Sequence, residues 1–149
     1  MLKAKDIMTK EVITVTPATT IEDLSHILIE YNISGAPVLN DEGDLIGIVT
    51  ENDLISKNKR LHIPTVMRLF DAYIVLESPA AIEKEIRRMA AVTVNDIYIK
   101  DVITFSEDTT VEEIATTMSE KKVYLIPVVS GRKVIGIIGK MDIIKGIAR

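Results

Sequence analysis

Two stretches of this chain repeat one pattern, and that repetition limits the possible folds more than any single motif. Residues Asp6 to Ile55 align with Asp96 to Ile144 at a shift of 90 positions (96 − 6), which falls to 89 (136 − 47) after a hairpin. Val12-Ile13-Thr14 recurs as Val102-Ile103-Thr104, and Thr19-Thr20-Ile21-Glu22 recurs as Thr109-Thr110-Val111-Glu112. Pro37-Val38 returns as Pro127-Val128, and Gly47-Ile48-Val49 returns as Gly136-Ile137-Ile138. A unit used twice is expected to pack against its copy about a pseudo-twofold axis, leaving related clefts between the copies.

The 149 residues are 47% hydrophobic, enough to build a core and too many for a disordered chain. No apolar run approaches the roughly 18–20 residues that cross a bilayer. The N-terminus has no apolar stretch of the signal-peptide kind, and no cysteine is present to build a disulfide framework or a thiolate metal site. A cytoplasmic location is the expectation. The formal net charge of −4 gives no general attraction to nucleic acid. The one short basic cluster, Lys57-Asn58-Lys59-Arg60, reads as a solvated loop.

Each repeat reads in the same order. The β-branched segments Val12–Val15 and Val102–Phe105 predict a first strand. Thr20 and Asp23, like Thr110 and Glu113, have the spacing of a capping box. Helices follow, with Ile21, Leu24 and Leu28 in one copy and Val111, Ile114 and Met118 in the other marking the buried face. Strands opening at Pro37 and Pro127 come next, then hairpin loops at Asn40–Asp44 and Ser130–Lys133. The return strands Leu45–Val49 and Val134–Ile138 are almost wholly apolar and are expected to be covered on both faces. A second helix starts at Glu51 and at Lys140. This divides the chain into repeat one at 1–60, a connector at 61–92 and repeat two at 93–149. In the connector, Ile63–Leu76 reads as a strand and Ala80–Ala91 as a helix. No separate catalytic or DNA-binding domain is expected within these residues.

The segment Gly47 to Asp53 carries the sharpest chemical signal. Thr50 stands at a predicted helix start, where free backbone N–H groups and the helix dipole suit a phosphate. The Thr50 hydroxyl can donate to a phosphate oxygen, and the Asp53 carboxylate can accept two bonds from a ribose diol. The same pair also makes a variant capping box with no further role. The second copy bears on the choice, because Gly139 replaces the threonine while Asp142 persists, and glutamate or glutamine would serve a cap as well. An asymmetry is expected, with Asp53 holding a ligand more strongly than Asp142. In Ile33-Ser34-Gly35-Ala36-Pro37-Val38, Gly35 and Ala36 leave the chain bare, either to receive a flat base or to make a tight turn with Gly35 at positive φ. The second copy is bulkier there, and Tyr124 is either a stacking partner or an aromatic at the core edge. No Walker loop, zinc spacing or GxGxxG occurs. His26 and His62 have no cysteine or serine arrangement around them, so neither a catalytic residue nor a metal site is expected.

Asp6-Ile7-Met8-Thr9, Val12-Ile13-Thr14-Val15-Thr16-Pro17, Ile33-Ser34-Gly35-Ala36-Pro37-Val38 and Gly47-Ile48-Val49-Thr50-Glu51-Asn52-Asp53-Leu54 together resemble the CBS domain, and the tandem resembles a Bateman module. In the second copy Thr93-Val94-Asn95-Asp96-Ile97 stands for the lead-in, with Tyr98 in place of Met8. The resemblance implies an α/β fold of the α+β type, two βαββα repeats packed through their sheets about a pseudo-twofold axis. It also implies a disc-like homodimer, and a sensor that is not itself an enzyme and has no catalytic cofactor. Its ligand would be adenosyl: AMP, ADP, ATP or S-adenosylmethionine. By resemblance Asp53 and Asp142 would hold ribose and Thr50 a phosphate. Ile13, Thr14, Gly35, Ala36 and Pro37 would flank one base, and Ile103, Thr104, Leu125, Ile126 and Pro127 the other. For the missing hydroxyl at Gly139 three readings stand: replacement by Lys140 and Arg132, a nucleoside without phosphate, or an empty second site; Lys57, Arg60 and His62 stand as candidates to reach the cleft and set the phosphate number. A regulated partner protein is implied as well, whereas membrane and nucleic acid are not. The rival reading is a structural dimerisation module with unused clefts.

Overall fold

The computed structural model describes residues 1–58 and 92–148, the side chains of 57 and 58 excepted. The connector strand and helix expected between the repeats lie outside the described residues. Repeat one contains α1 (Ala4–Ile7), α2 (Ile21–Glu30), β1 (Gly35–Leu39), β2 (Leu45–Thr50) and α3 (Glu51–Asn58). Repeat two contains a single 3-10 turn (Val94–Asp96), α4 (Val111–Lys121), β3 (Leu125–Ser130), β4 (Lys133–Gly139) and α5 (Lys140–Ala148).

Local chemistry accounts for these elements. The Thr20 hydroxyl accepts from the Asp23 N–H at 3.1 Å and the Thr110 hydroxyl from the Glu113 N–H at 3.2 Å, so both long helices begin at capped termini. Their apolar stripes bury Leu24 and Leu28 in one copy and Ile114 and Met118 in the other. The first hairpin turns through Asn40, whose side-chain oxygen accepts from the N–H groups of Glu42 and Asp44 while Gly43 takes φ 79°. Gly131 does the same for the second hairpin at φ 62°.

The first strand expected in each repeat is much shorter than its β-branched sequence implies. Val15 meets Val38 in one parallel bridge, and Phe105 meets Val128 in another. The cause is proline. Val15 donates to the Pro37 carbonyl at 3.0 Å and accepts from the Leu39 N–H at 2.9 Å. The next rung toward Ile13 needs a donor that Pro37 lacks, so the ladder stops. Pro127 stops the Phe105 bridge in the same way. Nor do the prolines open their strands: β1 begins at Gly35 and β3 at Leu125. Pro37 is tolerated in mid-strand because its nitrogen faces away from β2. Its β2 partner Ile48 turns its own N–H and C=O to Ile99 instead, both at 2.9 Å.

That last pair shows how the copies join. Ile99, in the lead-in of repeat two, bridges to Ile48 of repeat one, and Thr9 bridges to Ile137 of repeat two. The lead-in segments are therefore exchanged. Ala4 and Ile7 belong to one core with Ile114, Met118, Ile126, Val128, Ile138 and Ile143. Val94 and Ile97 belong to the other with Val15, Leu24, Leu28, Ala36, Val38 and Val49. Two glycines allow this close approach. A Cβ on Gly47 would fall on the Tyr98 ring, and one on Gly136 on the Met8 side chain. The hairpins also touch, since Leu45 donates to the Arg132 carbonyl at 2.9 Å and Lys133 pairs with Asp44 at 2.8 Å.

Candidate functional site

The exchanged lead-ins and the starts of α3 and α5 enclose one groove of about 660 Å³ that runs between the repeats. Ile48, Ile99, Thr9 and Ile137, the residues of the two cross-repeat bridges, all line it. Asp53 and Asp142, 89 positions apart (142 − 53), face the same space because each stands on the third residue of a helix that follows a return strand. Each is half-buried.

The two carboxylates are held differently. Asp53 Oδ2 accepts from the Thr50 N–H at 2.8 Å and from the Thr50 hydroxyl at 3.2 Å. Its other oxygen has no partner among the described residues. Asp142 Oδ2 accepts from the Gly139 N–H at 2.8 Å, and its Oδ1 accepts from the Thr9 hydroxyl at 3.3 Å. The second carboxylate thus has a hydroxyl partner after all, supplied by the lead-in of the other repeat. At the position corresponding to Thr9, repeat two has Ile99, so Asp53 receives no such bond. Both aspartates reach back to the helix start as the capping reading required, and both still front the groove.

Of the residues singled out by resemblance, Ile13, Gly35, Thr50, Asp53, Ile103, Leu125 and Asp142 line the groove. Thr14 and Thr104 are exposed outside that lining. Ala36 and Ile126 are buried in the two cores, and Pro37 and Pro127 are fully buried. Gly35 is not at positive φ; that conformation belongs to Asn32 (φ 50°) and Lys122 (φ 54°). Glycine is needed at 35 for space, because a Cβ there would lie 2.6 Å from the Val49 carbonyl oxygen and 2.9 Å from Leu125 Cδ2. Tyr124 lines the groove and carries the Lys140 ammonium 5.0 Å from its ring centroid. Arg132 lies at the hairpin, outside the lining. The side chain of Lys57, and Arg60 and His62, lie outside the described residues.

Sequence reasoning did not single out Thr9, Glu11, Asn32, Glu51, Asp101 and Lys122, which also line the groove. They come from the exchanged lead-ins and the helix ends, which no local pattern marks as neighbours. Among the described residues no group of three or more histidines and acids is placed to hold a metal. No helix among them is long and apolar enough to cross a membrane.

A match to the CBS domain covers residues 4–59 and again 94–149. The chain belongs to the CBS domain family. Its α+β tandem fold is that of CBS pairs. It is 31% identical to the inosine-5′-monophosphate dehydrogenase of Methanocaldococcus jannaschii over 144 residues, 96% of this chain and 23% of that enzyme. The chain spans between 22% and 41% of the length of the first curated relatives it matches. Among solved structures, CBSX2 in complex with AMP superimposes with a TM-score of 0.75 at 22% identity, covering 99% of this chain and 97% of that one. The CBS domain pair of protein MJ0100, in complex with 5′-methylthioadenosine and S-adenosyl-L-methionine, superimposes with a TM-score of 0.73 at 26% identity, covering 99% and 97%.

Proposed function

We propose that this CBS pair is a regulatory module that binds an adenosyl ligand (AMP, ADP, ATP or S-adenosylmethionine) in the groove between its repeats. The observation that carries this reading is the convergence of Asp53 and Asp142 on one groove, each carboxylate fixed at a helix start, with the second oxygen of Asp53 free of protein donors among the described residues. A carboxylate held this way suits a vicinal diol, and the apolar walls Ile13, Ile33, Ile103 and Leu125 suit a flat base. The MJ0100 pair, similar over nearly its whole length, is a complex with two adenosyl compounds.

Signalling follows by linkage. A ligand that bridges the repeats favours the arrangement it fits, and a regulated partner reads that arrangement. The proposal includes a homodimer. It is supported by Met141, Ile144 and Ile147, exposed at spacings of three on α5, and by exposed Ile55 on α3. Sedimentation of the full chain tests this part; a monomer at tens of micromolar contradicts it.

Thermal melts with AMP, ADP, ATP and S-adenosylmethionine test the ligand reading. A hundredfold excess over Kd stabilises the folded state by about 2.7 kcal/mol. A rise in melting temperature with at least one ligand is expected. Unmoved melting with all four contradicts the reading and favours a scaffold role.

A further inference from the structure

The repeats are alike in fold but differ in charge at two matched positions along the groove, while the acidic pairs Glu11 and Asp101, and Asp53 and Asp142, are kept in both. Asn32 and Glu51 line it from repeat one, and Lys122 and Lys140 occupy the corresponding places in repeat two. The two lysines stand at helix ends of opposite sign. Lys140 is the first residue of α5, where a cation opposes the positive end of the helix dipole. Lys122 is the C-cap of α4, where its charge suits the dipole, but it sits at φ 54°, a conformation that disfavours residues other than glycine, asparagine and aspartate. Neither pairs with a carboxylate among the described residues. The Lys140 ammonium is instead held against Tyr124 at the groove wall.

The aspartates add a second, independent asymmetry. Asp142 already accepts from protein donors on both oxygens, one bond coming from Thr9, whereas Asp53 keeps one oxygen open among the described residues. We propose that the groove binds its ligand with one polarity, the sugar diol at Asp53 and the anionic group at Lys122 and Lys140. The anionic group is a phosphate for a nucleotide and a carboxylate for S-adenosylmethionine; both are acceptors for ammonium donors. This inference rests on the adenosyl reading and assigns an orientation within it.

Calorimetry on the full chain with matched ligand pairs tests it: AMP against adenosine, and S-adenosylmethionine against its decarboxylated form, which keeps the sulfonium and the ammonium. In the wild type the member that carries the phosphate or carboxylate, in the pair that binds, is expected to bind about tenfold more tightly than the member that lacks it. Lys140→Gln, and more so Lys122→Gln with Lys140→Gln, should abolish that ratio while the ligand without the anionic group keeps its affinity to within about twofold. Glu51→Gln should leave the ratio nearly unchanged. A ratio that survives the double substitution, or that rises with Glu51→Gln more than it falls with Lys140→Gln, overturns the orientation and leaves adenosyl binding standing. A wild type that binds none of the four compounds overturns the adenosyl reading itself, and the orientation with it.

Discussion

At the scale of single residues, side chains of opposite character at matching positions differentiate two copies of one unit. Thr50 and Thr9 each give a hydroxyl to an aspartate, but the first does so within its own repeat and the second across to the other. Asp53→Ala should therefore weaken adenosyl binding by about tenfold or more, and Asp142→Ala by clearly less, as titration of both variants will show. Each substitution also removes an acceptor from a helix-start N–H, so both should cost about 1 kcal/mol of stability. Equal losses of affinity would contradict the asymmetry. Glycines at contact points give a second prediction. Gly47→Ala and Gly136→Ala push a methyl into Tyr98 and Met8, and each should destabilise by about 1–3 kcal/mol in urea unfolding. A neutral outcome would mean that the lead-ins are not seated as described.

At the scale of elements, capping and apolar periodicity account for most of what forms. Thr20→Ala and Thr110→Ala should each cost about 1 kcal/mol, because each removes the hydroxyl that caps a long helix. Unfolding curves that place one at several times the other would show that the helices are not equivalent. These helices, the hairpins and the helix starts at Glu51 and Lys140 were legible in the chain, since each is specified by residues within a few positions of one another. The strand at Val12–Val15 was not. Its own composition is extended, but its length depends on a donor missing at Pro37, 22 positions away (37 − 15). The groove was half legible for the same reason. Thr50 and Asp53 announce themselves by spacing, whereas Thr9, Glu11 and Asp101 enter only because the lead-ins cross over.

At the scale of the whole molecule, the exchange of lead-ins makes the repeats one cooperative body. Ile7 lies in the first repeat by sequence but in the second repeat's core by packing. Ile7→Ala should cost about 2–4 kcal/mol and should raise amide exchange in β3, β4 and α5 before β1 and β2. Exchange rising first in repeat one would contradict the swap. The same exchange sets Asp53 and Asp142 on a shared groove, so that a ligand there touches both copies and biases how they sit together. Ligand binding rests most on that carboxylate grip. The most direct measurement is calorimetric titration of the wild type and of Asp53→Asn with AMP, ADP, ATP and S-adenosylmethionine. Saturable binding of at least one ligand to the wild type, weakened about tenfold or more in the variant, is the expected result; binding that is absent, or indifferent to the substitution, would contradict the account.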